Sequence, residues 1–213
     1  MSNIEIVCQN ISKSFSGKNV FVNLSFKISS GKSLSITGKN GSGKSTLIKI
    51  IANLLNPTKG DIKIYNNGLN IPKENWYLST GLISPYINLY DELTGFENLD
   101  FFYKLKSQKS FIESEIIDHL LNEVNLYDRK NEYLKNYSSG MKQRLKLAFA
   151  LINNPPILLM DEPGSNLDNE GIELIKKVSR LQMQRGILLI ATNDEKDKEL
   201  CENSINIEEY KNA

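Results

Sequence analysis

Cysteine is nearly absent: Cys8 and Cys201 are the only two in 213 residues. They are far apart and in no metal-ligand or redox spacing, which fits a reduced compartment where thiols serve as small apolar residues. A secretory start is also missing, since Met1-Ser2-Asn3-Ile4-Glu5 carries neither a basic segment nor an apolar run, and the chain is expected to stay in the cytoplasm. Long hydrophobic runs are lacking as well. Ile48–Leu55, Ile157–Met160 and Ile187–Ala191 fall far below the roughly 20 residues that span a bilayer, so this chain is not expected to cross a membrane. Lys plus Arg (26) and Asp plus Glu (25) nearly cancel, which gives no overall pull toward nucleic acid or an anionic surface. No internal repeat or low-complexity segment is visible.

What is present is the alternation of a single substantial domain with a smaller lobe inserted into it. The first third reads as short strands separated by turns: Ile4–Cys8, Val20–Ile28, Ser33–Thr37 and Asp61–Tyr65, with Ser29-Ser30-Gly31-Lys32 as one turn. Thr46–Leu55 has a helical pattern that is expected to stop at Asn56-Pro57. Glu97–Leu126 and Ser138–Ile152 also read as helices, within a helical lobe spanning Asp91–Ile152. Two uninterrupted apolar runs follow, Ile157–Met160 and Ile187–Ala191, on either side of a helical stretch at Glu170–Gln184. Such runs suit parallel strands buried on both faces. The class is α/β, a helix-covered sheet with a helical insertion. Its core is expected at residues 1–90 and 153–213, and the helical subdomain at about 91–152.

Three motifs carry chemistry. Gly38-Lys39-Asn40-Gly41-Ser42-Gly43-Lys44-Ser45-Thr46 satisfies G-x-x-x-x-G-K-[ST] between an expected strand and an expected helix. Its glycines let backbone N–H groups curl around phosphate oxygens, Lys44 neutralises the terminal phosphates, Ser45 ligates Mg²⁺ and Thr46 adds a phosphate contact. At the end of Ile157–Met160 the chain delivers Asp161 and Glu162. Alone, such a pair is an ordinary solvated turn. Beside a phosphate loop, Asp161 is expected on Mg²⁺ and Glu162 as the base that polarises the attacking water. The third motif, Tyr137-Ser138-Ser139-Gly140-Met141-Lys142-Gln143-Arg144, opens a helix with Ser138 as a plausible N-cap.

In this order and spacing the three motifs resemble the ATP-binding subunit of an ABC transporter, over essentially the whole chain. The resemblance implies a P-loop NTPase core sheet with an N-terminal antiparallel β-subdomain and an inserted α-helical subdomain, binding ATP with Mg²⁺. Tyr137–Met141 stands at the family's L-S-G-G-Q signature with the Ser and second Gly kept. The resemblance implies a head-to-tail dimer in which Ser138 and Gly140 of one chain cover the γ-phosphate held by the other. Ser165-Asn166-Leu167-Asp168 matches the loop at that dimer seam, and Phe15 stands where an aromatic stacks on adenine; a lone Phe near a strand end is equally a packing residue.

Two family positions depart. Pro85 replaces a Gln that contacts metal and water, and Asn193 in Ala191-Thr192-Asn193-Asp194 replaces the switch His. Asn193 can donate a neutral hydrogen bond to phosphate but cannot carry a proton, so turnover is expected to be slow, or else Glu162 suffices. The only histidine, His119, lies in the helical lobe and reads as an ordinary helix residue. The resemblance implies separate transmembrane permease subunits docking between Leu82 and Phe102, a second nucleotide-binding subunit, no nucleic acid partner, and a cytoplasmic place on the inner face of the membrane. The compact chain is also similar to the haem-exporter ATPase of cytochrome c maturation. The alternative is a nucleotide-gated assembly or regulatory subunit.

Overall fold

The computed structural model describes residues 3–107, 114–165 and 167–211. The chain opens with two long strands, β1 (Ile4–Phe15) and β2 (Lys18–Ser29), and then β3 (Ser33–Thr37), which feeds the glycine-rich loop and helix α1 (Lys44–Ile51). Strands β4 (Lys59–Asn66) and β5 (Leu69–Asn70), the short helix α2 (Trp76–Ser79) and strand β6 (Thr80–Ile83) follow. Three helices come next: α3 (Gly95–Ser107), α4 (Ser114–Glu123) and α5 (Ser139–Leu151). The last third alternates β7 (Ile157–Asp161), α6 (Asn169–Arg185), β8 (Ile187–Ala191), α7 (Glu195–Lys198) and β9 (Asn203–Asn206).

The strands form two sheets. An antiparallel sheet has the order β2-β1-β4-β5, and a parallel sheet has the order β6-β7-β8-β3-β9. Every residue of β7 and β8 is buried, as the unbroken apolar runs require of strands covered on both faces. Alternate side chains of these strands enter different cores. Leu158, Met160, Leu188 and Ile190 pack with α3, α4, α5 and α6. Ile157, Leu159, Ile187, Leu189 and Ala191 pack with α1 and the antiparallel sheet. The period of two along one strand therefore glues the helical segment to one face and the β-subdomain to the other.

Several boundaries differ from expectation, each for a local reason. Helix α1 ends at Ile51, ahead of Asn56-Pro57, because Asn53 adopts φ 59° and the Leu54 N–H turns back to the Lys49 carbonyl at 2.8 Å, a left-handed helix stop that Asn tolerates. The helix expected over Glu97–Leu126 is divided between α3 and α4, and its residues 108–113 lie outside the described residues. It ends at Glu123, with Asn125 at φ 55°. Strand β1 continues past Cys8 to Phe15 through an irregular register at Asn10, φ 48°. Strands β5, β6 and β9 carry no signal that the sequence made plain; β9 reads Asn-Ser-Ile-Asn on the sheet edge.

Candidate functional site

In an open parallel sheet, ligands meet the carboxyl ends of the strands. Here β3 ends in the phosphate loop, β7 in Asp161-Glu162, β8 in Thr192-Asn193 and β6 in Ser84-Pro85. Four neighbouring strands thus bring together distant segments, Asn40 and Asn193 being 153 residues apart.

The loop's conformation requires its glycines. Gly38, Gly41 and Gly43 all have positive φ, at 142°, 75° and 112°. A Cβ on Gly38 would fall 2.7 Å from Ser42 Oγ, and one on Gly43 would fall 2.5 Å from a Val20 methyl. The Ser42 hydroxyl is buried without a hydrogen-bond partner. Helices α5 and α6 have N-terminal amides satisfied by the Ser138 and Asp168 side chains, whereas α1 begins at Gly43 with no side-chain cap. Uncapped helix amides, a curled backbone and an orphaned hydroxyl together make a cradle of donors that fits an anionic phosphate chain. Asn40 and Asn193 line the same open cleft with Gly38, and Asn193 Nδ2 donates to Asn40 Oδ1 at 3.1 Å. Thr46 is half-buried in α1.

Lys44 is 5% exposed, its ammonium donating to the Gly38 carbonyl at 2.9 Å and the Lys39 carbonyl at 3.4 Å, and pairing with Glu162 at 3.3 Å. The Ser45 hydroxyl donates to Asp161 Oδ1 at 2.9 Å. Burial, foremost, raises the Asp161 pKa, opposed by the Ser45 hydrogen bond and reinforced by the Glu162 charge. A hydroxyl and a desolvated carboxylate side by side form a hard-oxygen pair suited to Mg²⁺, with phosphate and water completing the shell. Glu162 adopts φ 50°, a left-handed geometry costly for a branched-chain-free but non-glycine residue. It is held by its N–H donating to the Ala191 carbonyl at 2.8 Å and by Ser165 Oγ donating to its carbonyl at 2.8 Å. From that backbone its carboxylate reaches the Lys44 ammonium at 3.3 Å.

The signature segment stands apart, at the start of α5. Ser138 caps the helix by accepting from the Met141 N–H at 3.2 Å, while Gly140 is buried against Asp168, whose carboxylate a Cβ would approach to 2.9 Å. Asp168 Oδ1 itself accepts from the Gly171 N–H at 2.7 Å and caps α6. Asn166 of the same loop lies outside the described residues. Tyr137 fits because residue 95 is glycine, where any Cβ would overlap the Tyr137 hydroxyl; that hydroxyl donates to the Arg129 carbonyl at 2.8 Å. Phe15 is 49% exposed, with the Lys13 ammonium 4.7 Å from its ring centroid. His119 is exposed on α4, 4.0 Å from Glu123.

Four side chains at the site escaped the sequence reading. Ser84 lies beside Asp161. Thr192 Oγ1 donates to the buried Asp197 at 3.0 Å and sits 3.4 Å from Glu162 Oε2; burial is the main reason the Asp197 pKa is raised. Glu208 accepts from the Lys39 N–H of the phosphate loop at 3.3 Å. Thr192 adjoins Asn193 and could have been found from that neighbour, but Asp197 and Glu208 belong to polar segments without a motif.

A second feature is an apolar groove of about 380 Å³ along the edge strand β6, lined by Leu54, Tyr77, Leu82, Ile87, Phe102 and Leu105 among others. Tyr90, Phe101 and Phe102 form an aromatic cluster next to it, with centroids 5.2–5.9 Å apart. At its foot Lys106 donates to the Thr80 carbonyl at 2.9 Å, and burial pushes its pKa down to about 8. Among the described residues no helix is long and apolar enough to cross a membrane.

Known proteins are similar to this chain in sequence and in fold. The chain matches the family model described as ABC transporter over residues 21–165. It is 36% identical over 209 residues to the methionine import ATP-binding protein MetN of Histophilus somni, covering 92% of this chain and 60% of that protein. It is 31% identical to the arginine transport ATP-binding protein ArtM of Bacillus subtilis, covering 89% and 81%. The chain spans 60% of the length of the first curated relatives it matches. Among solved structures, the dimeric post-hydrolysis ATP-binding cassette MJ0796 bound to ADP and Pi superposes with TM-score 0.84 at 26% identity, covering 95% of this chain and 94% of that one. With its phosphate cradle, acidic strand end and capped signature helix in one fold, this chain belongs to the ABC transporter family as a nucleotide-binding domain.

Proposed function

We propose that the chain is the ATP-hydrolysing subunit of an ABC transporter, in which closure and reopening of a nucleotide-bound dimer drives separate membrane subunits. The observation that carries this reading is the convergence of Lys44, Ser45, Asp161 and Glu162 within hydrogen-bonding or ion-pairing distance at the ends of β3 and β7. Lys44 would neutralise the β- and γ-phosphates, and Ser45 and Asp161 would hold Mg²⁺, which would supply charge stabilisation to the transferring phosphoryl group. Glu162 orients and deprotonates water on the far side of the γ-phosphate. At the end of β8, Asn193 lines the cleft beside Gly38 and Asn40, and the buried Thr192 sits 3.4 Å from Glu162 Oε2 behind it. Because Asn193 is neutral and tied to Asn40, turnover is slow relative to a chain with an ionisable side chain there.

The likeness to a dimeric cassette supports pairing of two such domains, with Ser138 and Gly140 of one facing the phosphate loop of the other and Asp168 beside the seam. The groove supports the membrane partner: a concave apolar surface rimmed by Leu54 and Leu105, which are 66% and 58% exposed, suits the apolar face of a short helix. The working location is the cytoplasmic face of a membrane.

Co-expression with a multispan membrane protein encoded by a neighbouring gene tests this reading. The two should co-purify, and a Leu54→Glu, Leu105→Glu double variant should lose the partner while still binding ATP. Equal retention of the partner by parent and variant would remove the groove from the account.

A further inference from the structure

Pro85 leaves the loop after β6 without the polar side chain that the family resemblance places there. The residue before it restores a polar contact. In the parallel pairing of β6 with β7, Ile83 stands opposite Met160, so the next step of each strand puts Ser84 beside Asp161. Ser84 is 4% and Asp161 1% exposed, and Ser84 Oγ lies 3.5 Å from Asp161 Oδ2.

The direction of that hydroxyl follows from the turn. Proline has no N–H, so the first amide after Ser84 is that of Tyr86, which donates to Ser84 Oγ at 3.4 Å. The turn is closed by the Ile87 N–H donating to the Ser84 carbonyl at 3.1 Å. With an amide occupying one side of the oxygen, the hydroxyl proton is left to point to the carboxylate. Asp161 therefore has a hydroxyl on each oxygen: Ser45 on Oδ1 and Ser84 on Oδ2. These contacts fix the plane of the carboxylate in a buried site where rotation would otherwise be limited only by packing.

We propose that Ser84 is a positioning residue for Asp161, holding the metal-binding carboxylate through Oδ2 as Ser45 holds it through Oδ1. The proposal rests on reading the site as one for Mg²⁺-ATP. The contact is delivered by strand register, which sets Ser84 and Asp161 one step beyond the Ile83–Met160 pair.

The test is the Mg²⁺ dependence of binding of a fluorescent ATP analogue to the full chain, its Ser84→Ala variant and its Ser84→Thr variant, with melting temperatures recorded without nucleotide. Partners that orient a metal ligand are worth roughly tenfold or more in metal affinity. Ser84→Ala should thus raise the half-saturating Mg²⁺ concentration about tenfold, with binding in EDTA unchanged, while Ser84→Thr, which keeps the hydroxyl, should retain the parental value. A parental Mg²⁺ requirement in Ser84→Ala would overturn the assignment. Failure of the parent itself to show Mg²⁺-dependent binding would instead overturn the underlying reading of the site, and this proposal with it.

Discussion

Lys44 Nζ lies 3.3 Å from Glu162 Oε1, joining the phosphate loop to the end of β7. The ammonium is also bound to the Gly38 and Lys39 carbonyls, so the loop is held in its curled form by the cation that is to meet phosphate. Charged hydrogen bonds contribute about 1.5–3 kcal/mol each. Lys44→Ala is therefore expected to weaken nucleotide binding roughly 10- to 100-fold, as read by titration with a fluorescent ATP analogue. Unchanged affinity would deny Lys44 its phosphate role.

Asn193 donates to Asn40 at 3.1 Å and carries no titratable proton. Asn193→His, which exchanges a neutral donor for one able to carry a proton, should raise the hydrolysis rate of the purified complex several-fold, below the roughly 10²-fold that a whole donor at a charged transition state is worth. An unaltered rate would mean that Glu162 alone sets turnover.

Phe15 presents about half its surface to solvent at the end of β1. An aromatic contact is worth roughly 0.5–1.5 kcal/mol beyond its buried area. Phe15→Ala should weaken ATP binding about 2- to 10-fold while leaving binding of inorganic tripolyphosphate unchanged. Equal losses for both ligands, or for neither, would remove Phe15 from the adenine site.

Much of this was readable from the chain. Ile187–Ala191 falls where its apolar run puts it, because a strand buried on both faces favours apolar residues. Ser33–Thr37 is a buried strand as well, its Ser33 hydroxyl accepting from the Glu202 N–H and its Ser35 hydroxyl donating to the Asn203 carbonyl. The loop Gly38–Thr46 and the pair Asp161-Glu162 were legible because their chemistry sits in consecutive residues. Ser84 was hidden for the opposite reason: its partner is 77 residues away, and only strand register joins them. The end of α1 was misplaced because Pro57 is the louder breaker, while Asn53 stops the helix by backbone conformation alone.

Lys106 offers a test by pH. Its pKa is lowered from 10.5 to about 8 by burial at the foot of the groove. Between those values the unfolded chain binds more protons than the folded one, so stability rises with pH through this window, and the penalty is fully present below it. Relative to Lys106→Met, the parent should gain on the order of 1 kcal/mol, roughly 2–4 °C in Tm, as pH goes from 7 to 10. Parallel Tm curves for the two proteins would contradict a buried, depressed ammonium.

The most direct test is ATP hydrolysis by the purified protein with Mg²⁺, beside its Glu162→Gln variant, with oligomeric state followed on ATP addition. Removing a general base costs roughly 10²- to 10⁴-fold in rate. The account predicts measurable turnover in the parent, loss of it in Glu162→Gln by at least about 10²-fold, and an ATP-stabilised dimer of the variant. Equal hydrolysis by the two proteins would contradict the assignment of Glu162 and with it the central claim.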